Sequence, residues 1–275
     1  MIANARMYAV TPAVAAYWRT LLAWVEAHAD VELEYVDHRP PRPIDALWRR
    51  KDLGCAFMCG YPWATWSDPS PRPLLLAGLV SSPARYRNRS AYCTDIVVRA
   101  DSTVTTLDDL RGRRFAFTTP SSQSGYQAPR ALFAALRGDL ARTKMGTMFE
   151  GVVGPLVTPR AVVDAIIAGD ADAGPLDSYW HDLLRLHEPR TAARLRTIAS
   201  TPLTPMPPLV AAAGMADADH RRLADALLAA GVTAELRETR EALALARFAM
   251  PDPAEYAILV ANARHADDLG YKVLQ

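Results

Sequence analysis

The sequence predicts a two-lobed α/β protein in which one lobe is inserted into the other. Three observations carry this expectation. At 275 residues the chain is long for a single hydrophobic core. Strand-like and helix-like segments alternate along most of it, as in sheets of parallel strands with helical crossovers. Two segments, one ending near residue 97 and a proline-rich one near residue 202, suit passages between lobes. The expected division is 1–97 plus 202–275 for a discontinuous first lobe, and 98–201 for the inserted second lobe.

The first lobe opens on a strand-like run, residues 2–10. Thr11 and Pro12 then predict a helix to about residue 28, because threonine caps a first turn and proline fits inside one. Residues 31–36 alternate apolar and acidic side chains, as a half-buried strand does. Pro40, Pro41 and Pro43 make a rigid turn. A short helix over 44–51 leads to a buried strand over 53–58. Cys59-Gly60-Tyr61-Pro62-Trp63-Ala64-Thr65-Trp66 follows it directly. Ligands of open α/β sheets bind beyond the carboxyl ends of strands, so these aromatic rings are either a pocket wall or a cap on the core. Strand-like runs follow at 74–80 and 91–99, the latter the expected first hinge strand.

In the second lobe, Thr106 and Asp109 predict a short capped helix over 105–110. A strand over 113–118 leads through Ser121, Ser122, Gln123, Ser124, Gly125 and Tyr126 into a helix over 127–136. Thr158 and Pro159 cap a helix over 160–168, which Gly169 ends. A buried strand over 171–176 reaches Asp177, where a helix over 178–186 begins. A strand over 195–199 precedes the second crossing. Residues 209–213 return to strand, and helices over 217–230 and 252–266 complete the first lobe.

Composition excludes several classes. Half the residues are hydrophobic and 22% are charged, which is a folded composition. The net charge is +1 with both signs interspersed, so no nucleic-acid groove or anionic membrane surface is expected. The three cysteines, Cys55, Cys59 and Cys93, argue against a disulfide scaffold, and no histidine stands beside the first two to complete a zinc site. No metal and no cofactor are expected. The N-terminus lacks a basic start followed by an apolar stretch, and segment 13–25 is too short and polar to span a bilayer. The expectation is a cytoplasmic protein, or a periplasmic one if a leader has been removed.

The strongest local signal is residues 122–126, between a strand and a helix. A helix start offers unpaired amides and the positive end of the helix dipole. Serines add hydroxyl donors, and Gly125 permits close backbone approach. Together they form an anion cradle without a cation; the competing reading is ordinary helix capping. No G-x-S-x-G pattern surrounds Ser122 or Ser124, so a hydrolase elbow is not expected. Gly112, Gly125 and Gly138 are isolated, which leaves no nucleotide fingerprint. Asp177 either accepts from a ligand amine or hydroxyl, or caps its helix; His181 reads as a packing or surface residue. No carboxylate pair is placed for acid–base work, and an enzyme is not expected.

Leu107-Asp108-Asp109-Leu110-Arg111-Gly112-Arg113-Arg114-Phe115-Ala116-Phe117, followed by Ser122-Gln123-Ser124-Gly125-Tyr126, resembles the second-lobe entry of phosphonate-type ABC transporter solute-binding proteins. Residues 165–174, the opening Ala5-Arg6-Met7-Tyr8 and the pair Gly60-Tyr61 are similar to the same family. The resemblance implies a type II periplasmic-binding-protein fold with two crossover strands and an interlobe cleft that closes on a small anionic or zwitterionic ligand. It further implies that Ser122 and Ser124 are the loop serines that meet phosphonate or phosphate oxygens, that Tyr8, Tyr61 and Tyr92 form a first-lobe wall, and that Asp177 lies near an acidic partner for an amine; Ser121, Gly125 and Tyr126 of the same loop complete the expected ligand-binding set. ABC permease subunits are the implied protein partners. Gln123 departs from the threonine often found there, and Thr158-Pro159 from a common Ser-His. A menaquinone-route lyase and a ligand-sensing domain share the fold and stand as alternatives.

Overall fold

The computed structural model describes residues 1–67, 69–139 and 148–275. The chain divides into two compact units, Met1–Ala91 with Pro205–Tyr256, and Tyr92–Thr204 with Ala257–Gln275. Two passages fall in the short strands Ala91–Tyr92 and Thr204–Pro205. A third passage, at Tyr256/Ala257, corrects the expectation that 202–275 belongs wholly to the first lobe.

In the first unit, a six-stranded sheet runs Leu245–Ala249, Leu74–Ser81, Pro208–Ala211, Leu53–Phe57, Ile2–Asn4, Glu34–Tyr35. The last three are parallel to one another, while Pro208–Ala211 and Leu245–Ala249 enter antiparallel. The sheet is therefore mixed, not purely parallel: the strands added after the second crossing need no helical crossover to join it. The first strand is shorter than expected. Asn4 ends it by accepting from Arg6 N at 2.8 Å while its Nδ2 donates to Val36 O at 2.9 Å, and a 3-10 turn, Arg6–Tyr8, follows. The helix Pro12–Ala29 starts where Thr11 and Pro12 predict, with Thr11 Oγ1 accepting from Val14 N. It buries Val14, Trp18, Leu21, Leu22, Val25 and Ala29, a single helical stripe. Each large member contributes about 1.5–3 kcal/mol through apolar burial.

In the second unit, a five-stranded sheet runs Leu195–Ser200, Thr94–Arg99, Ala173–Asp177, Arg114–Ala116, Gly151–Val153. The last three are parallel. Phe115, Phe133 and Phe149 pack at 4.8–5.1 Å in its core. The C-terminal segment completes that core: Tyr271 and Leu274 are buried in it, and Leu274 N donates to Tyr126 Oη at 3.2 Å. The buried Arg130 guanidinium donates to Asp267 (2.6 Å), Ala263 O (2.9 Å) and Tyr271 O (2.8 Å). These contacts explain why 257–275 joins the second unit. The predicted helix over 105–110 is only a 3-10 turn, Asp108–Leu110. Asp109 accepts from the amides of Thr105 and Thr106 at 2.8 and 2.9 Å, which closes a local turn in place of a helix, and these bonds hold its carboxyl down at about 2.

Candidate functional site

Three N-caps lie along one edge of the second unit. Each of the three parallel strands ends there and its chain turns into a helical segment: Arg114–Ala116 leads to Gln123–Gln127 and Ala128–Asp139, Gly151–Val153 to Pro159–Ala168, and Ala173–Asp177 to Ser178–His187. Ser122, Thr158 and Asp177 cap these starts by accepting from backbone amides. The carboxyl edge of a parallel sheet is where α/β proteins bind ligands, and the helix dipoles add positive potential.

The serine loop combines an exposed start at Ser121 with buried supports at Gln123, Gly125 and Tyr126. Thr118 N donates to Gly125 O at 3.2 Å, and Thr94 Oγ1 donates to Ser124 O at 3.2 Å, so the segment after strand Arg114–Ala116 and the start of strand Thr94–Arg99 hold the loop. Ser122 Oγ accepts from Gly125 N at 3.0 Å, and Gln127 N closes a wide π-type turn onto Ser122 O at 3.0 Å. Neither the amide nor the hydroxyl of Ser124 has a hydrogen-bond partner among the described residues, and its side chain is only partly buried. Ser121 is exposed, with its hydroxyl 3.4 Å from Thr119 Oγ1. Gly125 is required by close approach: a methyl there would collide with Thr118 Oγ1 and sit 2.9 Å from Ser122 Oγ. Thr118 Oγ1 is itself buried, with no hydrogen-bond partner among the described residues. Tyr126 packs edge-on against Phe117 at 5.3 Å and accepts from Leu274 N, so it supports the loop from behind. Thr158 joins the same edge, since the neighbouring Val157 N donates to Thr118 O at 3.1 Å.

Asp177 caps its helix, as one of its two sequence readings has it: Oδ1 accepts from Tyr179 N at 2.9 Å and Trp180 N at 3.0 Å. Sequence reasoning missed its neighbour, Asp95. This fully buried carboxylate accepts from Ser200 Oγ at 2.7 Å and lies 2.9 Å from His181 Nδ1. Burial lowers the His181 pKa, against the opposing pull of the Asp95 hydrogen bond. The two residues are 86 positions apart, so no local pattern marks the pair. Only the unpaired look of an aspartate inside the apolar strand 94–99 signals it.

The expected first-lobe wall is divided. Tyr8 is buried in the first unit, edge-on to Phe57 at 4.8 Å. Tyr61 is half-buried in the short helix Gly60–Ala64. Tyr92 is the first residue of the second unit, not part of the first, and it is buried. Trp63 is the anchor of the aromatic loop: its ring is 5.0 Å from Tyr256, Arg72 lies over it at 4.1 Å, and Nε1 donates to Pro73 O at 3.0 Å. Cys55, Cys59 and Cys93 are buried free thiols, and burial pushes Cys55 up to about 12. Among the described residues no three metal-ligating side chains converge.

A family model described as the periplasmic substrate-binding protein of phosphonate ABC transporters matches residues 10–256. The chain belongs to this family. Phosphonate-family binding proteins also appear among the solved structures that it resembles. A binding-protein component of an ABC phosphonate transporter from Pseudomonas aeruginosa superposes with a TM-score of 0.78 at 17% identity, over 98% of this chain and 87% of that one. A Prochlorococcus marinus protein in complex with methylphosphonate gives 0.76 at 17% identity, over 97% and 98%. A Xanthomonas citri protein with bound chloride gives 0.68 at 19%, over 99% of each chain. At these identities the structural likeness is one of fold, and it is the type II periplasmic-binding-protein fold that the sequence predicts. No curated protein matches the chain. The family is described as periplasmic, the second of the two locations the sequence leaves open. No helix among the described residues is long and apolar enough to cross a membrane.

Proposed function

We propose that this substrate-binding protein captures a phosphonate or phosphate-like oxyanion at its serine loop and presents it to ABC permease subunits in the periplasm. The observation that carries this reading is Ser124, whose amide and hydroxyl both lack a protein partner among the described residues at the start of a helix. An oxyanion accepts from such groups with no need of a cation, because the helix dipole and several neutral donors share the charge. Ser122 accepts from Gly125 N through its oxygen, which leaves its O–H to donate. Asp177 adds a negative group on the same sheet edge, suited to the amine of an aminoalkyl phosphonate. A ligand that binds a closed arrangement of the units more tightly than an open one shifts that equilibrium toward closure.

The same reading has no covalent step. Ser200 donates to Asp95 and not to His181, so the serine–histidine contact that activates a nucleophile is not assembled. The test is a thermal-shift screen of methylphosphonate, 2-aminoethylphosphonate, inorganic phosphate and alkylsulfonates. A rise in melting temperature of several degrees for phosphonates, from preferential binding to the folded form, is the expected result. A flat response across all classes would overturn the reading.

A further inference from the structure

We propose that the first unit carries a second oxyanion site, built on Arg6 and Arg19, for a small dianion of the phosphate-ester or dicarboxylate class. A recess of about 410 Å³ opens at the carboxyl ends of the parallel strands Ile2–Asn4 and Glu34–Tyr35, where the helix Pro12–Ala29 begins. All of its lining lies in the first unit. It sits on the Glu34–Tyr35 side of strand Ile2–Asn4, whereas the aromatic loop follows Leu53–Phe57 on the other side. Its volume falls in the range of roughly 300–1,000 Å³ that holds small ligands.

Charge decides the ligand class. Arg6, Arg19 and Arg39 line the recess, and Asp37 is the one carboxylate among the lining residues. Asp37 pairs with Arg39 at 3.0 Å on the exposed rim. Arg6 and Arg19 have no carboxylate partner among the described residues. Arg6 donates through Nη1 alone, to the carbonyls of His38 (3.2 Å) and Arg42. Its Nε and Nη2 have no acceptor among the described residues, and burial without a counter-charge lowers its pKa. Arg19 stacks over the Tyr35 ring at 4.8 Å, a geometry that holds the guanidinium plane while leaving its N–H edges to donate. Two cations without counter-charges at a helix start match a dianion, and guanidinium forks fit the two-oxygen edge of phosphate or carboxylate.

The experiment is isothermal titration of the full chain at low salt with inorganic phosphate and, separately, succinate. It uses a Ser122→Ala/Ser124→Ala background, in which the serine loop no longer contributes its hydroxyls. Saturable binding of one of the two anions is expected to persist there, to weaken as ionic strength rises, and to fall about tenfold or more in Arg19→Gln and in Arg6→Gln. The stronger anion identifies the source. Arg6→Gln also removes ties to the 38–42 segment, so Arg19→Gln, exposed and outside that network, is the deciding variant, with circular dichroism confirming its fold. Absence of binding in the folded serine-loop background, or equal affinity in Arg19→Gln, would overturn the proposal. Loss of phosphonate binding in that background bears on the serine loop alone, so the two readings fail separately.

Discussion

Two helical segments start just past a buried strand, one at Gly60 in the first unit and one at Gln123 in the second, and they use their side chains in opposite ways. The first commits its largest ring to packing: Trp63 is enclosed by Tyr256 and Arg72 and its indole N–H is satisfied by Pro73 O. The second leaves donors unmet. Gly125 lets the turn close over Thr118, and Ser124 keeps its amide and hydroxyl without protein partners among the described residues. An aromatic loop after a strand is thus a poor guide to a binding surface, because rings that reach the core stabilise it. A small-residue polar loop has little to bury, so its unmet donors are better evidence of a ligand.

The largest effect should come from Trp63→Ala. Truncating this buried ring is expected to cost about 3–5 kcal/mol of stability, measured by urea denaturation, while phosphonate affinity of the protein that remains folded changes little. Lost affinity with unchanged stability would reverse the contrast. Gly125→Ala comes next, at about 1–3 kcal/mol from overpacking against Thr118. Here phosphonate binding should be lost as well, because the loop must move. In Ser124→Ala the two readouts separate: titration calorimetry should show affinity about tenfold weaker, with the melting temperature unchanged.

The smallest effect is a pH dependence from His181. Burial places its folded pKa below its unfolded value, so folding favours the neutral ring. The unfolded state then binds more protons, and stability is full above the unfolded pKa, about 6.5. It is lost progressively as pH falls toward the lower folded value. Denaturation midpoints between pH 8 and 5 should show this slope in the wild type and a flatter one in His181→Gln.

Local signals in the sequence were legible where the physics is local. Thr11-Pro12 and Thr158-Pro159 start helices as expected, with each threonine accepting from the amide three residues on, and Gly169 ends its helix at φ 85°. The serine loop and the capping by Asp177 follow from the same short-range chemistry. The Thr106/Asp109 signal misled because the aspartate satisfies the amides of Thr105 and Thr106 in a turn that a single 3-10 step completes. The remainder depends on distant partners. Arg130 meets Asp267 across 137 positions, and Tyr271 and Leu274 pack into a core built by distant residues, so the C-terminal helix joins the second unit through partners that no local pattern reveals. The pairing of Asp95 with His181 was hidden for the same reason, and the strands Gly151–Val153 and Leu245–Ala249 are too short or too mixed in pattern to stand out.

The most direct test is a crystal structure of the protein grown with methylphosphonate. Phosphonate oxygens within hydrogen-bond distance of Ser124 N, Ser124 Oγ and Ser122 Oγ are the predicted result. A fully occupied ligand with no contact to residues 121–126 would contradict the account.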